Sequence, residues 1–273
     1  YASGDTATAI GELVETYINN NENLPVTSNN VTGTVTATAK NLGPRGNFIA
    51  LRARVTAGTG VAVTPPATGY LTGGTTSDDP QTSLDVQTSY RRGFLIAPYS
   101  DSTQLAKFRT HVDAQEEPLA GNRKQVIFGS LDTLANTTTL AVGINFPRMQ
   151  CVWMWRSDHT PFELAAAMGA WRALKESESP AYNYDGDIIP GLKPHYLSAN
   201  IPTLNNLASA LNNGITPLTS VGTSDVAIVR SVTTKSQSSS LPDYRVLDTS
   251  KVTVPDYIGE VVELAVTDRY PGY

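Results

Sequence analysis

Apolar and polar residues follow two different patterns along this chain. The change from one pattern to the other divides the sequence into two parts. In the first 75 residues, one stretch with helical spacing precedes short segments that alternate apolar residues with threonine, which predicts one helix and half-buried strands. From residue 91 onward, continuous apolar runs alternate with amphipathic stretches, which predicts a mostly parallel sheet flanked by helices. We therefore expect a small β-rich α+β domain over 1–75, a linker over 76–90 and an α/β domain over 91–273.

The helix of the first part is expected over 5–20, with Asp5 as its N-cap. An extended piece over 24–28 and strands over 31–40, 48–55 and 61–64 should follow. The Gly58-Thr59-Gly60 sequence resembles the start of a dinucleotide-binding fingerprint, but Val63 stands where the third glycine belongs, so we interpret it as a hairpin turn. The apolar positions that should face inward from the helix are Ile10, Leu13, Val14, Tyr17 and Ile18.

The second part opens after a connection rich in glycine, proline and threonine over 65–87. Three apolar runs predict strands over 93–98, 125–129 and 150–155. Between and after them, helices should begin at residues that can cap a free N-terminus. These expected helix starts are Asp101, Ser130, Thr160 and Thr203.

A long loop over 177–201 should lead to the helix that starts at Thr203, and Asn213-Gly214 should close that helix. We expect Pro217 to lie in a polar loop that ends near Asp225, followed by a strand over 226–234. A serine-rich, exposed linker over 236–242 and a last helix marked by apolar residues complete the pattern. Those apolar residues are Ile258, Val261, Val262 and Ala265.

Composition narrows the classes of function. Charged residues make up 16% of the chain and the net charge is −5, so a nucleic-acid partner held by a basic patch is not expected. The single cysteine, Cys151, rules out an intramolecular disulfide and a cysteine-rich metal site, and its apolar neighbours indicate a buried strand. No apolar run approaches the roughly 20 residues that cross a bilayer.

Two polar groupings suggest chemistry. His159 follows a predicted strand, where a site lies in open α/β sheets, and with Ser157 or Asp187 it could form an acid–base pair. Asp185 and Asp187 could bind a cation through oxygen atoms, although the spacing of a calcium loop is missing. A loop histidine and a polar turn are the simpler interpretations, because no nucleophile elbow, phosphate loop or metal-binding motif occurs.

The three tryptophans could form a platform for a sugar. Trp153 and Trp155 lie in a predicted strand and Trp171 in a predicted helix, so we favour core packing. We predict no catalytic, cofactor-binding or metal-binding residues.

Several short motifs resemble those of contractile phage tail sheath proteins, in the Mu-like branch. An Asn-Gly-Ile-Thr sequence precedes a strand that ends in Thr-Thr, and near the beginning Gly-Asp-Thr-Ala opens a helix. The matching residues are Gly4, Asp5, Thr6, Ala7, Pro25, Val26, Thr27, Gly43, Gly46, Asn47, Ile49, Arg52, Asn213, Gly214, Ile215, Thr216, Ile228, Val229, Arg230, Thr233, Thr234, Tyr244, Val246, Leu247, Asp248, Asp268, Arg269, Tyr270 and Pro271.

The resemblance implies a structural subunit that polymerises helically around a tail tube and contracts to drive the tube through the host envelope. It implies no cofactor and no catalysis. The expected partners are other sheath subunits, joined by terminal arms that add strands to neighbouring sheets, the tube protein, the baseplate and the tail terminator. The expected location is the virion tail, after assembly in the host cytoplasm.

The family has a strand before the first helix and a segment after Pro271, so we expect an internal fragment that lacks both terminal arms and is monomeric alone. Two other classes of function stay open at this point. The α/β part could be a hydrolase-like enzyme, and the β-rich part could be a surface binding module.

Overall fold

The computed structural model describes residues 4–41, 43–52, 69–89, 92–117 and 120–270. The chain divides into two compact units, Tyr1–Asp78 and Asp79–Tyr273.

The first unit contains a helix and a hairpin. Helix α1 (Ala7–Asn19) is capped by Thr6, whose side chain accepts a hydrogen bond from the N–H group of Ala9, so the expected cap at Asp5 is one residue too early. Strands β1 (Val26–Val31) and β2 (Thr34–Ala39) pair antiparallel. Thr32 and Gly33 both have positive φ, of 49° and 87°, as a tight two-residue hairpin turn requires. The prediction of a single strand over 31–40 is therefore wrong, because this turn interrupts it.

The polar side of helix α1 faces the hairpin. Gly11 is the buried residue of the helix, and Asn30 packs against it. The Glu15 carboxylate accepts a hydrogen bond from the Asn30 N–H group at 3.0 Å, and Asn19 accepts one from Ser28 at 2.8 Å. Part of the expected inward-facing apolar stripe is therefore at the surface, and Tyr17 is 74% exposed.

The strand expected over 48–55 lies in the described residues only as far as 52, whereas the strand expected over 61–64 and the turn at 58–60 lie outside them. A short 3-10 helix spans Pro44–Phe48, so Phe48 does not begin a strand. Among the described residues of this region, Ala50 forms an isolated antiparallel bridge with Tyr70.

The second unit is built on a five-stranded sheet in the order β3-β4-β5-β6-β7. Strands β3 to β6 are parallel, and β7 pairs antiparallel with β6. The three predicted apolar strands are confirmed, and so is the α/β class with a mostly parallel sheet. The strand bounds are β3 (Arg92–Ala97), β4 (Arg123–Ser130), β5 (Met149–Trp153), β6 (Ile215–Val221) and β7 (Asp225–Ile228).

Helices cover both faces of this sheet. Val126 and Phe128 of β4 belong to a buried cluster with Leu105, Phe108 and residues of three more helices. The helices are α2 (Gln81–Val86), α3 (Ser102–Glu116), α4 (Leu134–Ile144), α5 (Pro161–Glu178), α6 (Leu204–Asn212) and α7 (Ser250–Arg269).

Helix α5 covers the opposite face. Gly169 packs against Ile96 and Ile127, and the backbone of Pro161 approaches Gly129 so closely that a Cβ atom there would lie 1.9 Å from the Pro161 carbonyl oxygen. The glycines thus allow the helix to approach the strands closely.

The helix starts follow the expected local chemistry with one exception. Asp101 caps α3, Thr203 caps α6, and Thr160 forms a complete capping box with Glu163 at the start of α5. The expected cap at Ser130 is wrong, because Ser130 ends β4 and Thr133 caps α4. The connection expected over 65–87 is also not loop throughout, since it contains α2.

The region after α6 differs most from expectation. Strand β6 begins directly after Gly214 and runs through Pro217, where a polar loop was expected. The strand expected over 226–234 ends at Ile228, and the chain continues as an extended segment. Strands β8 (Gln237–Ser238) and β9 (Leu241–Pro242) form a small hairpin where a linker was expected.

Candidate functional site

The segment 213–237, which contains the Asn-Gly-Ile-Thr and Thr-Thr motifs, is held in place by backbone and hydroxyl contacts. Gly214 adopts a φ of +72°, and a Cβ atom on it would lie 2.8 Å from the Thr233 carbonyl oxygen and 2.9 Å from the Thr234 Cα atom. Both the backbone conformation and the close approach therefore require glycine.

The Thr233-Thr234 pair joins two parts of the chain. The Thr234 hydroxyl donates to the Phe146 carbonyl oxygen at 2.9 Å and accepts from the Phe146 N–H group at 3.0 Å. The Thr233 hydroxyl donates to the carbonyl oxygen of Val246 at 2.9 Å. Both threonines are buried, so these bonds satisfy polar groups that water does not reach.

Ion pairs connect the start of β5 to the last helix. The Arg148 guanidinium donates two hydrogen bonds to Asp256 of α7, at 2.6 and 2.8 Å, and also contacts Glu116. The two carboxylates raise the pKa of Arg148 against the opposing effect of burial. This pair fixes the first half of α7 to the start of β5.

Arg172 lies at the centre of a buried polar network on the α5 face of the sheet. Its guanidinium donates to Glu176 at 2.8 Å, to Gln150 at 2.9 Å and to Gln125 at 2.8 Å. It also lies over the Phe94 ring, 4.6 Å from the centroid. The network links α5 to three strands. Such an arrangement is typical of a structural core.

The candidate acid–base residues form hydrogen bonds with other groups of the protein. The Nε2 atom of His159 accepts a hydrogen bond from the Lys193 N–H group at 2.7 Å. The Ser157 hydroxyl accepts one from the N–H group of His159 at 3.1 Å. The Asp187 carboxylate accepts from Trp171 and Tyr182, at 3.1 and 3.3 Å.

Asp185 and Asp187 lie in a turn. The Asp185 N–H group donates to the Asn183 side chain at 3.2 Å, and Gly186 has a φ of +84°. Within the part of the chain that the structure describes, no group of three or more histidine, cysteine or acidic side chains is arranged to hold a metal ion.

Two of the residues considered as chemical candidates belong to the core. Trp153 is 2% exposed and its indole N–H group donates to the Asp132 carbonyl oxygen at 2.8 Å, as the core-packing interpretation predicts. Cys151 is fully buried in β5, and burial raises the pKa of its thiol, which keeps it protonated. Trp155 packs against the same core cluster, and Trp171 lies beneath Lys175.

Helices α1 and α7 each present several apolar side chains to solvent. On α1 these are Leu13, Val14 and Tyr17. On α7 the exposed residues include apolar ones that mark this helix in the sequence. The exposed apolar residues of α7 are Tyr257, Ile258, Val261, Val262, Leu264 and Val266. Contiguous apolar surface of this kind marks interaction sites in soluble proteins.

The two edges of the large sheet differ. The outer edge of β7 is covered by the segment 186–189, which exchanges backbone hydrogen bonds with it. At the opposite edge, no further strand of the described residues pairs with β3. An open strand edge is a template for a strand from another chain.

None of the helices in the described ranges is both long and apolar enough to span a bilayer.

Comparison with known proteins identifies the fold. No protein-family model matches the chain, and no curated protein matches it. Among solved structures, a sheath tail protein from Desulfitobacterium hafniense aligns over 90% of this chain and 56% of its own, with 14% identity and a TM-score of 0.55. The chain therefore has the fold of this sheath tail protein.

Two further structures are more distant. A sheath tail protein from Listeria innocua aligns over 86% of this chain and 52% of its own, with 12% identity and a TM-score of 0.48. The baseplate of the anti-feeding prophage aligns over 65% of this chain and 46% of its own, with 11% identity and a TM-score of 0.47. The chain spans about half the length of the chains that it matches.

Proposed function

We propose that this chain, which has the fold of a sheath tail protein, is part of a subunit of a contractile tail sheath. The observation that carries the proposal is the structural match over 90% of the chain. In this role the subunit polymerises helically around a tail tube and contracts by rigid-body rearrangement, driving the tube through the host envelope. The motif residues identified in the sequence support the same assignment, because they recur in order along the chain.

The internal contacts suit a subunit that moves as a rigid body. Gly214, Thr233 and Thr234 pack backbone against backbone, and Arg148 ties the start of β5 to α7. Buried, fully paired polar groups of this kind resist local opening. A sheath subunit that transmits force needs such an interior, since energy released at its contacts would otherwise be dissipated within the subunit.

The surface suits repeated contacts with neighbours. The exposed apolar residues of α1, those of α7, and the edge of β3 with which no described strand pairs are places where another subunit could bind. Contacts between different patches on identical subunits generate open helical assemblies when the rotation does not close. Strand addition at the edge of β3 would accommodate a terminal arm of a neighbouring subunit.

The proposed partners are other sheath subunits, the tail tube protein, the baseplate and the tail terminator. The net charge of −5 gives no basis for direct binding of nucleic acid. The proposed role is structural, without catalysis, and the proposed location is the virion tail after assembly in the host cytoplasm. We expect the 273-residue chain alone to be monomeric.

Sedimentation velocity and negative-stain electron microscopy of two samples test the proposal. The first sample is this chain, and the second is the longest natural product of its gene. We expect the longer product to sediment as large particles that appear as striated tubes, while the chain alone stays at the mass of a monomer. Monodisperse small particles from both samples at every salt concentration would refute the sheath assignment.

A further inference from the structure

A cleft of about 260 Å³ opens in the second unit, at the start of strands β3 and β4. Its other walls come from the end of α5 and the first half of α7. The apolar part of the lining is formed by Phe94, Ala173, Pro180 and Tyr257. An engineered protein cavity of roughly 150 Å³ binds benzene, so this cleft has room for a molecule with one ring.

The side chain of Gln125 presents a hydrogen-bond donor to the cleft that it lines. Its Oε1 atom accepts a hydrogen bond from the Nη2 atom of Arg172 at 2.8 Å. A guanidinium group can only donate, so the amide oxygen must face Arg172 and the NH₂ group lies on the other side. Gln125 is 7% exposed, and its Nε2 atom has no hydrogen-bond partner among the described residues. A buried donor in this position requires an acceptor.

An acceptor lies beside this donor. The Oε1 atom of Glu176 accepts hydrogen bonds from the Nε atom of Arg172 at 2.8 Å and from the Tyr184 hydroxyl at 3.0 Å. The second carboxylate oxygen, Oε2, has no hydrogen-bond partner in the described part of the chain. Because Gln125 and Glu176 bind the same guanidinium, their side-chain ends are held next to each other.

The charges of the lining are already balanced. Each charged side chain that lines the cleft has an oppositely charged partner in the protein. These pairs are Glu176 with Arg172 at 2.7 Å, Asp256 with Arg148 at 2.6 Å and Arg123 with Glu263 at 3.8 Å. A charged ligand would lose its hydration without gaining a free counter-charge, so the lining favours a neutral occupant.

We propose that this cleft binds a small neutral molecule in which a ring carries a primary carboxamide. The carboxamide oxygen accepts a hydrogen bond from Nε2 of Gln125, and the carboxamide NH₂ group donates one to Oε2 of Glu176. The ring packs among the apolar side chains of Phe94, Pro180 and Tyr257. A few convergent polar groups in an apolar cleft are the usual composition of a small-molecule site. This inference does not depend on the proposed sheath role.

Titration of the isotope-labelled chain with benzamide, followed by NMR, tests the site. The side-chain NH₂ signals of Gln125 report on binding directly, and we expect saturable shifts with a Kd in the millimolar range, as is typical of so small a ligand. Three probes of similar shape serve as controls. Acetophenone and benzoate cannot donate to Glu176, and benzylammonium cannot accept from Gln125. Each should bind at least about tenfold more weakly, because one hydrogen bond in the buried site is lost.

The variant Gln125→Glu assigns binding to the amide. It keeps one oxygen for Arg172 and places a second oxygen where the NH₂ group was, so the affinity for benzamide should fall at least about tenfold. The matched control is Gln81→Glu, which makes the same charge change at an exposed position at the start of α2 and should leave the affinity unchanged. Circular dichroism shows whether each variant is folded.

Three results would overturn the proposal. The first is an absence of saturable shifts with benzamide up to its limit of solubility. The second is binding of acetophenone or of either charged probe as tightly as benzamide. The third is an unchanged affinity in the folded Gln125→Glu variant. If that variant does not fold, the four probes on the natural chain still decide the question.

Discussion

Arg230 binds Asp248 through two hydrogen bonds, from Nε at 2.8 Å and from Nη2 at 3.0 Å, and so joins the segment after β7 to the segment just before the last helix. Both residues belong to the motifs that resemble those of sheath proteins. They are 18 positions apart in the sequence, and no sequence pattern connects them. The carboxylate raises the pKa of the Arg230 guanidinium. These two motif residues therefore connect the segment after β7 to the segment before α7.

Removing this pair should have a small, measurable effect. The Arg230 side chain is 49% exposed, so solvent screening limits its contribution. We expect Arg230→Ala to lower the free energy of unfolding by about 0.5 kcal/mol, as exposed pairs with good geometry do. Urea denaturation provides the measurement, and Asp248→Ala should give the same loss. A double variant that loses the sum of the two single effects would contradict a direct interaction.

Breaking the buried network at Arg172 should be far more costly. Arg172→Met leaves Gln125, Gln150 and Glu176 without their donor in a part of the core that water does not reach. We expect a loss of about 3–5 kcal/mol in the free energy of unfolding. The exposed Arg269 provides the matched control, since Arg269→Met should change stability by less than about 0.5 kcal/mol. Equal effects of the two substitutions would show that the network is not stabilising.

Two glycines separate backbone strain from steric conflict. Gly214 and Gly222 both have positive φ, of 72° and 62°, but a Cβ atom on Gly222 would meet nothing within 4 Å. We expect Gly222→Ala to cost about 1 kcal/mol, from the left-handed conformation alone. Gly214→Ala adds the conflict with Thr233 and Thr234 and should cost at least about 2 kcal/mol more. Thermal or urea unfolding of both variants measures the difference, and equal losses would contradict the close approach.

These contacts explain which parts of the structure the sequence could predict. The capping box at Thr160 and the helix end at Gly214 are local, because the residues that satisfy the free backbone groups are neighbours in the chain. Strand β6 was missed because Pro217 and its threonine and serine neighbours do not resemble a buried strand. Its position depends on pairing with β5, which is distant in the sequence, as well as with the adjacent β7.

The orientation of α1 was missed for a different reason. Its apolar stripe has the spacing of an inward-facing helix, and an isolated domain would bury it. Instead Glu15 and Asn19 bind the hairpin backbone, and Leu13 and Tyr17 remain at the surface. Hydrophobic periodicity identifies the helix but does not say whether its apolar face meets the domain core or a partner.

This stripe provides a test of assembly that is separate from folding. Leu13 and Tyr17 are 58% and 74% exposed, so Leu13→Ser with Tyr17→Ser should leave the melting temperature of the chain almost unchanged. In the longest product of the gene, we expect the same pair of substitutions to reduce the fraction that sediments as large particles. Thr36→Ser, on the exposed face of β2, is the matched control. A large fall in melting temperature would instead indicate that the stripe is part of the fold.

Acid should destabilise the second unit. Burial lowers the pKa of His195 and of His111, so the folded protein holds fewer protons than the unfolded chain in this range. The free energy of unfolding therefore decreases with decreasing pH. The contribution is complete above the ordinary histidine pKa of 6.5 and is lost as the pH falls through the lower values of the folded state. Urea midpoints between about pH 7.5 and about pH 5 measure it, and a midpoint that rises on acidification would contradict it.

Helical reconstruction by electron microscopy of the assembled gene product tests the central claim most directly. A sheath subunit forms an open lattice through unlike patches, so each copy should occupy an equivalent position along a tube with a constant rise and rotation. We predict such a lattice, with the second unit keeping the internal structure described above. Particles with closed point-group symmetry, or no assembly beyond a monomer, would contradict the assignment to a tail sheath.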